Sequence, residues 1–401
     1  MAHFTGVILS FISYLLFLIL HTPLSHAKPL SYNRAACQSS TPNPLTGCPA
    51  NTLLVSSNTT TSNTTFTSIQ SAILSLPADN SSATILILPG TYTEQLNITR
   101  PGPVTLLGQT SNPNNASANG VTVLWREATG NDENSFDNAY TAVLTVAPTW
   151  ESSLTGTGPT GYPVPEDTPF GNGGFAAYNV DFVNDYKDVA AGPALALSVS
   201  YANAGFYYCG FYSYQDTVYV GKLGNAYFDN SIIAGQTDFL YGFGTAWIQS
   251  SLLSLRNCGG GITAWKGTNT TFENKYGVYI HDSEVRKAND SLSIEGECSL
   301  GRPWNAQHRS IFANTYLDAS IRPSGYTTWG STDPRTNNYT LEAEYQNFGP
   351  GFNRTGRLAE NISRLLSDEE YAPYSSLDEV FQFPFSDRDG NTAWIDRSPE
   401  A

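Results

Sequence analysis

Tyr207-Tyr208-Cys209-Gly210-Phe211, Phe228-Asp229-Asn230-Ser231-Ile232 and Ile248-Gln249-Ser250-Ser251-Leu252 share one pattern. An apolar or aromatic residue is followed two positions on by a small polar residue, with another apolar residue two positions further. Cys209 to Asn230 is 21 residues and Asn230 to Ser250 is 20. Looser copies stand at Tyr178–Phe182, Ile280–Val285 and Phe312–Tyr316, separated by about 30 residues where a loop intervenes. Short β units recurring at a near-constant step, with turn residues between them, describe a parallel β-helix. A β-sandwich is the competing reading, but it would place hairpin turns every 8–12 residues. The solenoid fits the step better. On this reading the small Asn, Cys and Ser side chains stack from coil to coil, with Asn hydrogen-bonding along the ladder.

Outward from the repeats, Thr67 to Leu76 has apolar residues at helical spacing behind a Thr/Ser start, which predicts one short N-terminal helix. Ala83–Leu88 is β-rich and ends in the turn pair Pro89-Gly90. Val104–Gly108 reads as the next strand. Residues 148–174 are rich in Pro and Gly without periodicity and read as a long surface loop. Residues 28–65 are polar and read as an arm leading into a domain that runs from 66 to 401. Val7 to Leu20 is apolar but short for a bilayer span, and Ser25-His26-Ala27 follows it as a small-x-small site. Residues 1–27 are therefore expected to be a secretory leader, with an extracellular mature chain and no membrane partner.

The 401 residues carry 20 Lys+Arg against 35 Asp+Glu, a formal charge of −15. This argues against phosphate-backbone binding, so no nucleic-acid partner is expected. Of five histidines, His3, His21 and His26 fall in the expected leader, leaving His281 and His308. No C-x-x-C pair occurs among the five cysteines, and two histidines are too few for the common zinc sets. No metal or other cofactor is expected. Cys37 and Cys48 are close in a turn-rich segment and are expected to pair. Cys209, Cys258 and Cys298 leave at least one buried free thiol. Ten N-x-S/T sequons, from Asn58 to Asn361, mark candidate glycosylation sites.

Two acids occupy neighbouring copies of the repeat. Asp216 lies in Tyr214-Gln215-Asp216-Thr217 and Asp238 in Thr237-Asp238-Phe239, 22 residues on. One coil of separation brings equivalent positions to roughly 4.8 Å. Carboxylates that close cannot both ionise easily, so one holds a proton while the other stays charged. That is an acid and a nucleophile or base in one place. Spacing alone is also compatible with two unrelated turn aspartates on a solvated edge.

Four further segments alter this balance. Gly90-Thr91-Tyr92-Thr93-Glu94 resembles the GxYxE motif of pectin methylesterases (pectinesterases). Tyr214 to Tyr219 resembles their GYQDTLY, Asp238 to Gly242 their DFIFG, and Leu300-Gly301-Arg302-Pro303-Trp304 is their LGRPW unchanged. The segments stand in the family's order, and the resemblance runs from about Phe66 to about Phe381. It implies a right-handed parallel β-helix and a secreted enzyme that hydrolyses methyl esters of galacturonate in pectin. A fungal type is expected, since no plant-type pro-region precedes the catalytic part.

By position, the resemblance makes Asp238 the nucleophile, Asp216 the general acid and then base, and Gln215 an oxyanion donor. Arg302 would bind Asp238, and its charge would lower that carboxyl's pKa. Tyr219, Tyr241 and Trp304 match aromatics of the substrate groove, with core packing as the alternative for each. The substrate is then methyl-esterified homogalacturonan, acted on by a monomer. One position departs from the family. Where a Gln supplies a second oxyanion donor, the chain has Gly192-Pro193-Ala194, and proline offers neither a side-chain donor nor an N–H. Trp265, where the family often has Gln, is a candidate mark of a reshaped site. These departures keep open a second reading, a weakly active or non-catalytic wall-binding homologue. A Ser-His-Asp esterase fits poorly without G-x-S-x-G, and His308 reads as a surface histidine near the groove.

Overall fold

A computed structural model describes residues 33–57, 65–156, 162–267, 275–381 and 391–399; the expected leader lies outside them. Each coil visits three parallel sheets in turn. Asn203–Tyr207 lies in the first, Gly210–Tyr212 in the second and Val218–Val220 in the third. Asn225–Asp229 then returns to the first and pairs in parallel with Asn203–Tyr207. Among the described residues the three sheets hold twelve, eight and six strands. Apart from the two ends of the first sheet, neighbouring strands are non-consecutive and parallel, so the chain is a parallel β-helix, as its period indicated.

The corner between the first and second sheets explains the small polar residues. Asn179, Asn230, Ser250, Asp282 and Asn314 there have φ of 46–55°, the left-handed region that Asn and Asp tolerate best. The ladder expected of asparagine belongs instead to the next residue. Ser231 Oγ accepts from Cys209 N at 3.1 Å, Ser251 Oγ from Ser231 N at 3.0 Å and Ser283 Oγ from Ser251 N at 3.1 Å. Asparagine sets the bend, and serine satisfies the amide that the bend exposes.

Inward residues of all three sheets form one apolar column containing Ile87, Leu106, Phe175, Phe206, Phe228, Ile248 and Phe312. Phe206 stacks on Phe228 with centroids 5.1 Å apart, and Phe182 on Phe211 at 5.5 Å. Helix Ile69–Ser75 covers the N-terminal end of the column with Ile69, Ala72 and Ile73. Ser68 caps it, and the Glu94 carboxylate accepts from Ile69 N and Gln70 N. The last residue of the GxYxE-like segment is thus a helix cap.

Two expectations change. The described part of 28–65 is no detached arm. Cys37 and Gln38, in the short helix Arg34–Gln38, are fully buried, and Leu53–Val55 is a strand of the first sheet. A disulfide joins Cys37 to Cys48. Residues 148–174 are also not simply a surface loop. Ser152 to Thr155 are buried, and Leu154 O accepts from the Tyr219 hydroxyl. Residues 157–161 lie outside the description.

Candidate active site

The third sheet builds the site. Ser198, Tyr219, Tyr241 and Ala264 are in register across its successive strands. Asp216 and Asp238 sit just before two of those strands, where the chain turns in from the second sheet. Gln215 bridges to Thr237, Asp216 N donates to Thr237 O at 3.0 Å and Asp238 N to Gly261 O at 2.7 Å. The acids therefore occupy equivalent places on adjacent coils. Both have left-handed backbones, with φ of 60° at Asp216 and 48° at Asp238.

Arg302 reaches this pair from the LGRPW segment. Its Nη2 donates to Asp238 Oδ2 at 2.6 Å and its Nε to Oδ1 at 3.0 Å. Gly261 N adds a third bond to Oδ1 at 3.0 Å. The glycines 259–261 make room for it. Gly260 has φ +60°, and a Cβ there would meet Asp238 Oδ1 at 2.5 Å and Arg302 Nε at 2.8 Å.

Both carboxyls are nearly inaccessible, with 7% of Asp216 and 6% of Asp238 exposed. Burial pushes Asp238 above the ordinary carboxylate value, and Arg302 and the Gly261 N–H pull back against it. Its pKa is thus not lowered outright, as the Arg302 pairing alone had suggested, because desolvation outweighs the pairing. Burial and the neighbouring Asp238 drive Asp216 well above the carboxylate range, with the Arg302 charge opposing them. The asymmetry survives in relative form: Asp238 is the better anion and Asp216 the better acid.

Gln215 is half-buried beside Asp216. Trp304 is half-buried over Tyr241, with ring centroids 5.7 Å apart, and Tyr241 lies over Tyr219 at 4.9 Å. Tyr219 and Tyr241 are themselves buried, so they back Trp304 rather than face the groove. Lys266 Nζ lies 4.2 Å from the Trp304 ring centroid, and burial lowers its pKa to about 8. Trp265 marks no reshaped site: it points into the apolar column, and its Nε1 donates to Gly244 O. His308 is no surface histidine either. It is fully buried, its Nε2 is 2.8 Å from Ser310 Oγ, and burial lowers its pKa to about 3. Cys258 and Cys298 form a disulfide, and Cys209 is the buried free thiol.

Three contributors were not read from the sequence. Trp329 is stacked between Arg302, 4.0 Å from its centroid, and Arg335, 4.1 Å away. Arg335 also donates to Trp304 O, tying the two tryptophans together. Asn138 Nδ2 donates to Asp216 Oδ2 at 3.2 Å from 78 residues upstream. None of the three falls in a segment with a recognisable pattern.

The family model described as Pectinesterase matches residues 168–380. A relative named "Probable pectinesterase A", from Aspergillus niger, is 31% identical over 308 residues, covering 76% of this chain and 81% of the relative. This chain belongs to the pectinesterase family. The crystal structure of the deglycosylated pectin methylesterase from Aspergillus niger superposes with a TM-score of 0.66 at 29% identity, over 87% of this chain and 98% of that one. The pectin methylesterase from carrot shares the fold, with a TM-score of 0.63 at 20% identity, over 83% of this chain and 97% of that one.

In this pectinesterase the departure at Pro193 lies beside the site. Ala194 N donates to Gln215 O at 3.1 Å, so Pro193 sits on the coil adjoining Gln215. The Pro193 carbonyl accepts from Thr129 N at 2.9 Å, which fastens the segment carrying Asn138 to the stretch leading into strand Leu197–Val199.

Proposed function

We propose that this chain is a secreted, monomeric pectinesterase that hydrolyses the methyl esters of pectin through an aspartate nucleophile, Asp238, and an aspartate acid–base, Asp216. The observation that carries this reading is the one-sided compensation of the two acids. Asp238 has the Arg302 fork and the Gly261 N–H, and Asp216 has neither. A site needing one anion and one acid at the same pH is built this way.

In the proposed reaction an Asp238 carboxylate oxygen attacks the ester carbonyl carbon. Negative charge collects on the carbonyl oxygen, where the Gln215 amide donates. The bond to the methoxy oxygen breaks, and the leaving oxygen takes the Asp216 proton to give methanol. The galacturonyl group is left on Asp238 as a mixed anhydride. Asp216, now a carboxylate, takes a proton from water whose oxygen attacks the galacturonyl carbon. The anhydride bond breaks, Asp238 recovers its charge, and the galacturonic acid product carries the solvent oxygen. Trp304 would stack on a sugar ring, with Tyr241 and Tyr219 stiffening it from beneath.

Secretion is supported by the leader-like N-terminus and by the disulfides Cys37–Cys48 and Cys258–Cys298. The sequon residues Asn80, Asn115, Asn289, Asn338, Asn353 and Asn361 are exposed and would admit glycans, whereas Asn97 is half-buried. A wall-binding role without turnover is not favoured, because it would not require the buried, unequally compensated acids. Methanol release from highly methylated pectin tests the function. The native chain should release methanol, and Asp238→Asn should fall by at least about 10³-fold. Equal release by the two would reject the assignment.

A further inference from the structure

The expected amide donor at position 193 is missing, yet the site is not without a buried amide. Asn138 is 4% exposed and heads the short turn Asn138–Thr141. Its Nδ2 donates to Asp216 Oδ2 at 3.2 Å, and its Oδ1 accepts from Thr129 Oγ1 at 3.0 Å. The amide orientation is thus fixed at both ends. The turn is bolted to the segment that carries Pro193. Leu195 N donates to Thr141 Oγ1 at 3.0 Å, Thr141 Oγ1 donates to Asn138 O at 2.7 Å, and Thr129 N donates to Pro193 O. Among the described residues, no other side-chain amide is hydrogen-bonded to either aspartate.

We propose that Asn138 is a positioning residue for the acid Asp216. By donating to Oδ2 it keeps that oxygen an acceptor, so the acid proton of Asp216 resides on Oδ1. A neutral carboxyl can place its proton on either oxygen, and only one placement serves a given leaving group. A donor on one oxygen settles that choice. The same bond stops the side chain from rotating within its pocket. The inference rests on the reading of Asp216 as acid–base but names a residue outside the motif-bearing segments.

The test compares Asn138→Asp and Asn138→Ala with the native chain in methanol release across pH, with thermal melting as the check on folding. Asn138→Asp keeps the shape and the acceptor for Thr129 but loses the donor when ionised. The new carboxylate would face Asp216 directly, with Asp238, Arg302 and the Tyr241 hydroxyl across from it, Asp137 next to it in its own turn and Lys266 beyond Asp137. Asn138→Asp should lower kcat by roughly 10–100-fold near neutrality with little change in KM. Activity relative to the native chain should recover as pH falls and the new acid gains a proton to donate. Asn138→Ala should lose a similar factor with no recovery in acid. The inference is overturned if Asn138→Asp keeps the native kcat. It is equally overturned if its loss is the same at every pH, because then the amide only packs. Absence of turnover in the native chain would instead reject the function itself.

Discussion

At the residue scale, the two acids differ in what each would leave behind. Asp216 is buried without a cation of its own, so its neutral form is the one that the fold accommodates. Asp216→Asn replaces it with a permanently neutral side chain of the same shape that also tolerates the left-handed backbone. This variant should lose activity yet melt at or above the native temperature. The sign follows from linkage. A carboxyl raised in the fold stabilises fully below its unfolded pKa, and that contribution is lost as pH rises toward the folded value. The gain of Asp216→Asn should therefore be near zero at about pH 4 and grow with pH. Asp238 is raised less, because Arg302 and the Gly261 N–H oppose its burial, so any gain from Asp238→Asn should be smaller than that from Asp216→Asn at the same pH. Denaturation curves of both at two pH values check this, and equal effects in the two variants would count against the asymmetry. The Asp216–Asp238 pair was legible in the sequence because one coil returns each position to its neighbour. Asn138 was not, because its contact spans 78 residues and depends on how an irregular segment folds back.

At the element scale, periodicity identified the strands but not which wall each residue faces. Val218, Val220 and Leu240 line the interior walls beside Tyr219 and Tyr241, whose rings lie on the outer face beneath Trp304. A motif match names these tyrosines without showing that a tryptophan covers them. His308 was misplaced for a related reason: the stretch after LGRPW turns inward, where Ser310, Tyr326 and Thr263 form a buried polar cluster. On strand Leu341–Tyr345, in register with Ser310, Glu342 is 3% exposed, and one of its carboxyl oxygens has no hydrogen-bond partner among the described residues. Burial raises its pKa well above the usual value. Glu342→Gln should therefore be nearly neutral for stability at about pH 4 and stabilising by about 1–3 kcal/mol near pH 7. Melting temperatures across that range read the effect, and a difference that does not vary with pH would mean that Glu342 is not held neutral.

At the scale of the whole molecule, three sheets wound around one apolar column place the site on a rigid wall. The near-constant step carried most of that architecture, although Gly210 pairs with Ile232, which sets Cys209 beside Ser231 rather than Asn230. The ends were less legible, because the N-terminal strand Leu53–Val55 and the C-terminal helices lie outside the repeat. The helices Asp368–Tyr371 and Leu377–Val380 cover the outer aromatic row of the first sheet. Tyr371 and Tyr345 rings stack with centroids 3.9 Å apart, and the Tyr371 hydroxyl lies 2.9 Å from His281 Nδ1. The formal charge of −15 also acts at this scale. Pectin becomes a polyanion as its esters are removed, so long-range repulsion should favour methylated stretches and release product. Little retention on immobilised pectate at neutral pH and low salt is expected; tight retention would contradict this.

The central claim is the division of labour between Asp238 and Asp216, and an activated ester tests it most directly. With an aryl ester of galacturonate, the leaving group needs no proton, so acylation can proceed without Asp216, whereas deacylation still needs its base. Rapid mixing should show Asp216→Asn releasing one equivalent of phenol per enzyme in a burst followed by slow turnover, and Asp238→Asn showing no burst. A burst from Asp238→Asn, or its absence from both variants while the native enzyme turns the ester over, would contradict the assignment.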